Sequence, residues 1–81
     1  MLNVNIKDSD WPEWANWVAQ DRDGEVYFFE TEPKISNMSN TWNNPENGVC
    51  QLFKQGDLND EWKTAIMKRT DTTSTEKHSH Y

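Results

Sequence analysis

The chain has 81 residues, with 8 basic and 14 acidic side chains and a formal net charge of -6. That length allows one small domain, and a hydrophobic content of 33% without a long apolar run excludes a membrane-spanning helix. An acidic balance is also wrong for gripping a nucleic-acid backbone, which takes clustered Lys and Arg. No basic start leads into an apolar stretch, so no secretory leader is expected. A single cysteine, Cys50, cannot close a disulfide within the chain and fits a reducing compartment.

Leu2, Val4 and Ile6 alternate with Asn3, Asn5 and Lys7, the period-two pattern of a half-buried strand at a sheet edge. Asp10 and Glu13 have capping-box spacing around Pro12, which predicts one helical turn there. Trp17 to Gln20 and Glu25 to Glu30 then flank Asp21-Arg22-Asp23-Gly24, a turn tetrad whose glycine supplies positive φ; together they predict a β-hairpin. Ser36 to Gly48 is a polar loop holding five Asn and Trp42, longer than most connections in compact domains. Val49 to Lys54 predicts a further strand, with Cys50 as a small buried hydrophobe.

Leu58, Trp62, Ala65, Ile66 and Arg69 fall on one helical face, with Asp60 and Glu61 first and Lys68 and Arg69 last to match the macrodipole. The predicted fold is therefore α+β: a small antiparallel sheet of three to four strands with one C-terminal helix packed on a face. A single domain is expected over residues 1–69. Residues 70–81 have one aromatic and no aliphatic side chain and predict a disordered tail.

All of the net charge lies before residue 34. Residues 1–33 carry eight acids and two bases, whereas residues 34–81 carry six of each. Such a run is ordinarily a solvated rim, but it also steers a basic partner. The candidate partner-binding residues are Asp21, Asp23 and Glu25 on the hairpin, and Asp8, Asp10 and Glu13 on the preceding turn. Trp11 and Trp42 join them, because both sit among polar neighbours, outside any periodic segment. Each is either a lid folded onto the sheet or an exposed interface anchor. Trp14, Trp17 and Trp62 are expected in the core.

Catalytic motifs are missing. There is no glycine-rich phosphate loop and no strand-turn-helix serine motif, and His78 and His80 lie in the tail. No metal site or cofactor is expected: Asp21-Arg22-Asp23-Gly24-Glu25 opens like a calcium loop but lacks its closing ligands.

Trp11-Pro12-Glu13-Trp14-Ala15, Ala19-Gln20-Asp21-Arg22-Asp23-Gly24, Phe29-Glu30-Thr31-Glu32-Pro33 and Glu61-Trp62-Lys63-Thr64-Ala65-Ile66 with Arg69 together form a pattern. Over residues 11–69 it resembles small acidic accessory proteins of tailed bacteriophages. The resemblance implies expression in the bacterial host cytoplasm and carries no catalytic or ligand-binding residue across. The reading that follows is a non-enzymatic accessory protein, a monomer or weak homo-oligomer, that binds a host protein with a basic surface to inhibit or redirect it. DNA mimicry is one version. A nucleotide-binding module is the alternative, with a base on Trp42 and phosphate held by Lys34, Lys54, Lys63, Lys68 or Arg69. A minor structural component, self-associating through the first strand, is the third.

Overall fold

A computed structural model of the chain describes residues 1–44 and 46–70. Its strands are β1 (Trp17–Gln20), β2 (Glu25–Phe29), β3 (Lys34–Ser36), β4 (Thr41–Asn43), β5 (Cys50–Gln55) and β6 (Ile66–Lys68), with short 3₁₀ turns at Asp8–Asp10 and Trp62–Thr64. Four strands form an antiparallel sheet in the order β5-β2-β1-β6, and β3 pairs with β4 in a separate hairpin.

The predicted β1-β2 hairpin is present, with Trp17 opposite Phe29 and Gln20 opposite Val26. Gly24 has φ +97°, and its turn is closed by Asp21 and Glu25, whose backbones pair at 2.9 Å. A Cβ at Gly24 would also stand 2.6 Å from the Asp57 carbonyl oxygen, so both conformation and space require glycine.

Strand alternation places Val18, Val26 and Phe28 on one face, where they bury against Trp11 and Ala15. Leu2, Val4 and Ile6 cover this core from the N-terminal segment. Their alternation holds, but residues 2–7 pair with no strand, and the sheet edges are β5 and β6. The segment is tethered by side chains instead: the Asn3 amide N–H donates to Gln20 Oε1 at 3.1 Å. One-sided burial produced the pattern without a ladder.

The C-terminal helix is not formed, and the α+β expectation is corrected to a β fold. Among the described residues there is no helix of seven or more residues. Trp62 and Ala65 are buried as predicted, but Leu58, on the same expected face, is 78% exposed. Beyond the Trp62–Thr64 turn the chain straightens, and Ile66 and Met67 pair with Ala19 and Val18. Without β6 the outer amides of β1 would be bare beside the core, a greater cost than a helix of about ten residues, itself marginal alone, can offset.

Three smaller expectations also change. The predicted loop at 36–48 starts at the last residue of β3 and holds all of β4, and Asn40 and Asn47 take positive φ, which asparagine tolerates better than most residues. Cys50 is exposed, because β5 is an edge strand. Trp14 and Trp17 are half-buried. The expected tail lies, from residue 71, outside the described residues.

Gln20, on β1, is fully buried and hydrogen-bonds Asn3, Gly24 and Asn59. Replacing it by leucine strands those polar groups, and Gln20→Leu should lower unfolding free energy by about 3 kcal/mol. Gly24→Ala should cost about 2 kcal/mol from the positive φ and the crowded site. Urea unfolding checks both. A loss below that of an exposed control such as Lys54→Ala would contradict either.

Candidate functional site

The β1-β2 turn brings three of the expected acids together. Oxygens of Asp21, Asp23 and Glu25 all lie within 4.8 Å of one another. The close spacing follows from the turn itself: Asp23 Oδ1 accepts the Glu25 amide N–H at 3.0 Å, folding the loop back on its own carboxylate. Asp23 is exposed and Glu25 half-buried, but Asp21 is only 5% exposed. Among the described residues the ion pairs are Arg22–Asp60 and Lys34–Glu32, and neither reaches the three.

Burial pushes the Asp21 carboxyl up from 3.8 to about 6, a hydrogen bond from the Trp42 amide to its Oδ1 at 2.8 Å opposes the shift, and Asp23 and Glu25 add to it. The Tyr27 hydroxyl is likewise pushed up, by burial and then by Glu25, whose Oε1 accepts its proton at 3.4 Å.

Trp42 is a lid. Its indole Nε1 donates inward to the carbonyls of Gln20 at 3.0 Å and Trp62 at 3.1 Å. Its ring meets Trp62 edge-on at 6.3 Å. Between Trp42 and the outer face of β2 lies a cleft of about 350 Å³, lined among others by Asp21, Glu25, Tyr27, Phe29 and Cys50. The aromatic wall was not singled out from sequence, although period two puts Glu25, Tyr27 and Phe29 on one strand face.

The remaining expected site residues are elsewhere. Asp8, Asp10, Glu13 and Trp11 precede β1, at the end opposite the hairpin turn. Asp10 caps its own turn, its Oδ2 accepting the Lys7 amide N–H at 2.8 Å. Trp11 is not an exposed anchor: it is 6% exposed and packs on Phe28 at 5.0 Å. The guanidinium of Arg69 stacks 5.5 Å from its ring and donates to the carbonyls of Pro12 and Ala15. The acids that form one block in sequence are thus divided between two ends of the sheet.

None of the cations invoked for a phosphate lines the cleft. Lys54, Lys63 and Lys68 lie over Phe53, Trp62 and Trp17 instead. A metal ion would find three carboxylates, with the oxygen-bearing side chains of Thr41, Asn43 and Asn44 in the same cleft lining. The chemistry of the cleft is negative charge beside aromatic rings, which favours a cation.

Comparison with protein-family models, curated proteins and solved structures found no match for the chain. No helix among the described residues is long and apolar enough to cross a membrane. What the fold and site define is a small β-sheet protein whose hairpin lid closes over an acidic, aromatic-walled cleft.

Asp21 makes the fold sensitive to pH. Its folded pKa lies above the unfolded value, so its contribution is fully present below pH 3.8 and is lost as pH rises through about 6. Asp21→Asn keeps an oxygen for the Trp42 N–H while removing the buried charge. It should raise the melting temperature at pH 7.5, leave it nearly unchanged at pH 4, and flatten the profile between. A variant less stable than the parent at pH 7.5 would contradict this.

Proposed function

We propose that the protein is a non-enzymatic accessory protein, of the tailed-phage kind its motifs resemble, acting in the host cytoplasm. It binds a host protein stoichiometrically through the acidic β1-β2 turn and so inhibits or redirects it. The observation that carries this reading is the turn itself: three mutually repelling carboxylates, none in an ion pair among the described residues, with one kept in a buried position. Such an arrangement costs stability, and a basic partner that supplies the missing counter-charge offsets the cost while charge steering speeds encounter.

The acids at the far end of β1 take a lesser part in this reading, because Asp10 is engaged in its own turn. Trp11 drops out as an anchor, and the apolar contribution passes to the rings around the cleft. DNA mimicry loses support from the same division of charge, since phosphate-like spacing needs a continuous acidic face. The nucleotide alternative has no phosphate counter-charge at the cleft among the described residues.

Capture from bacterial lysate at low and high salt tests the proposal. One partner should be retained at low salt and released at high salt. Asp23→Asn with Glu25→Gln should reduce capture about tenfold, as expected when close charge pairs are lost. Asp8→Asn with Glu13→Gln should leave it nearly unchanged. Equal loss from both pairs would mean that bulk charge, not the turn, holds the partner.

A further inference from the structure

We infer that β5 is the docking edge for a second copy of this chain, the two β5 strands pairing antiparallel about a two-fold axis at Gln51. The inference goes beyond the docking role of the acidic turn and does not depend on it.

The two edges of the four-stranded sheet are unlike. β6 is three residues long and runs through Lys68 into Arg69, whose guanidinium is folded over Trp11. Short, charged edges resist strand addition. β5 is the longest strand, five of its six residues are exposed, and Lys54 is its only charge. Its backbone directions follow from Val49, whose amide donates to Glu30 Oε1 at 3.0 Å and whose carbonyl accepts the Glu30 amide at 2.9 Å. Val49 therefore faces β2, and alternation turns the amides and carbonyls of Cys50 and Leu52 outward. Among the described residues nothing pairs with them. The regular stretch ends at Phe53, a bulge residue, since Val26 stands opposite Lys54 and Tyr27 opposite Leu52.

The sequence at this edge favours a second copy over a foreign strand. Val49-Cys50-Gln51-Leu52-Phe53 reads apolar, apolar, polar, apolar, apolar in either direction. A two-fold contact must be self-complementary, and with Gln51 on the axis this segment is. Cys50 then exchanges backbone hydrogen bonds with Leu52 of the second copy, the two Gln51 side chains meet, and Val49 comes level with Phe53. Val49 and Leu52, each 49% exposed, gain apolar cover. Other registers that bring outward amides together match less well. Cys50 on the axis sets Leu52 against Gly48, and Leu52 on the axis sets Cys50 against Lys54 beyond the bulge. Charge does not oppose the contact, because the net charge of -6 lies before residue 34 and Gly48 to Gly56 carries Lys54 alone.

So short a ladder with modest apolar cover predicts a weak dimer, with a dissociation constant on the order of 100 µM. Between about 10 µM and 1 mM, a range bracketing that constant, the reduced full chain should pass from monomer to dimer by sedimentation. Concentration-dependent NMR shifts should centre on Val49 to Phe53. Leu52→Pro removes an outward N–H and spares the ladder to β2, a place where edge strands accept proline. Leu52→Lys tests the same contact without touching the backbone. Both variants should keep a folded NMR spectrum and stay monomeric across the series.

Cross-linking reads the register. In a Cys50→Ser background, Gln51→Cys sets two thiols across the axis with Cα atoms about 4.5 Å apart, within disulfide reach. The parent Cys50, or Leu52→Cys in that background, meets its own copy only diagonally at about 8 Å, beyond that reach. With oxidised glutathione, Gln51→Cys should therefore cross-link about tenfold faster than either. A chain monomeric throughout, or shifts centred elsewhere, overturns the inference. Mass rising beyond two chains, or cross-linking as fast from Cys50 or Leu52→Cys, overturns the two-fold register on which it rests. If the chain stays monomeric while Leu52→Pro and Leu52→Lys abolish partner capture from lysate, the edge belongs to a foreign strand and the dimer is overturned.

Discussion

Gln20 is fully buried and uses every hydrogen-bonding position of its side-chain amide. Its Nε2 donates to Asn3 Oδ1 at 2.7 Å and to the Gly24 carbonyl at 3.0 Å. Its Oε1 accepts from the Asn3 amide at 3.1 Å and from Asn59 Nδ2 at 2.8 Å. One side chain thereby fastens the N-terminal segment, the hairpin turn and the loop after β5. Its main chain serves the other side of the sheet, donating to the Ala65 carbonyl at 2.9 Å and accepting the Trp42 indole N–H. A fully satisfied polar hub rigidifies far more than its individual bonds suggest, because any loosening exposes several low-dielectric groups together. This chain is poor in aliphatic residues, and the hub supplies order that a larger core would otherwise supply.

The site is a consequence of that hub. Gln20 binds the Gly24 carbonyl, and Gly24 in turn accepts the Gly56 amide at 2.8 Å, so the turn is held from two directions. Asp21 follows Gln20 immediately and cannot swing to solvent while its neighbour is locked. Trp42 then seals it, with the amide on Asp21 and the indole on Gln20. The carboxyl that titrates near pH 6 is therefore buried by the neighbours of Gln20.

Local and non-local information separate cleanly in what the sequence revealed. The β1-β2 hairpin was legible because its signals, the Asp-Gly turn and the aromatic run of β2, lie within 14 residues. The alternation of Leu2, Val4 and Ile6 was legible as burial but not as pairing, since period two records faces and says nothing of ladders. The spacing of Trp62, Ala65 and Ile66 suits a helix face equally with a tight turn entering a strand. The bare edge of β1 decided between them from across the sheet. Polar neighbours misplaced Trp11 for the same reason: what covers it is Phe28 and Arg69, both distant in sequence. At the site the charges of Asp21, Asp23 and Glu25 were plain in the sequence. The burial of Asp21 was not, because it depends on Trp42, 21 residues away.

The acids also differ in how much bonding capacity they retain, and this separates structural from functional charge. Asp10 uses a carboxylate oxygen to cap its turn, Asp23 uses one on the Glu25 amide, and Glu25 takes the Tyr27 hydroxyl. Asp23 can turn its other oxygen to water, and an exposed acceptor satisfied by solvent gains little from a partner. Asp21 is different, because the residue is only 5% exposed and the hydrogen bond it accepts comes from the Trp42 amide, outside its own turn. Its ionisation is opposed by burial and by two neighbouring carboxylates, so the folded chain at neutral pH holds a charge it would be more stable without. Natural sequences readily lose such costs by substitution, and asparagine would keep the Trp42 bond. The physical case for a site at this end of the sheet thus rests less on the abundance of negative charge than on the one carboxylate whose cost the Trp42 hydrogen bond offsets only in part.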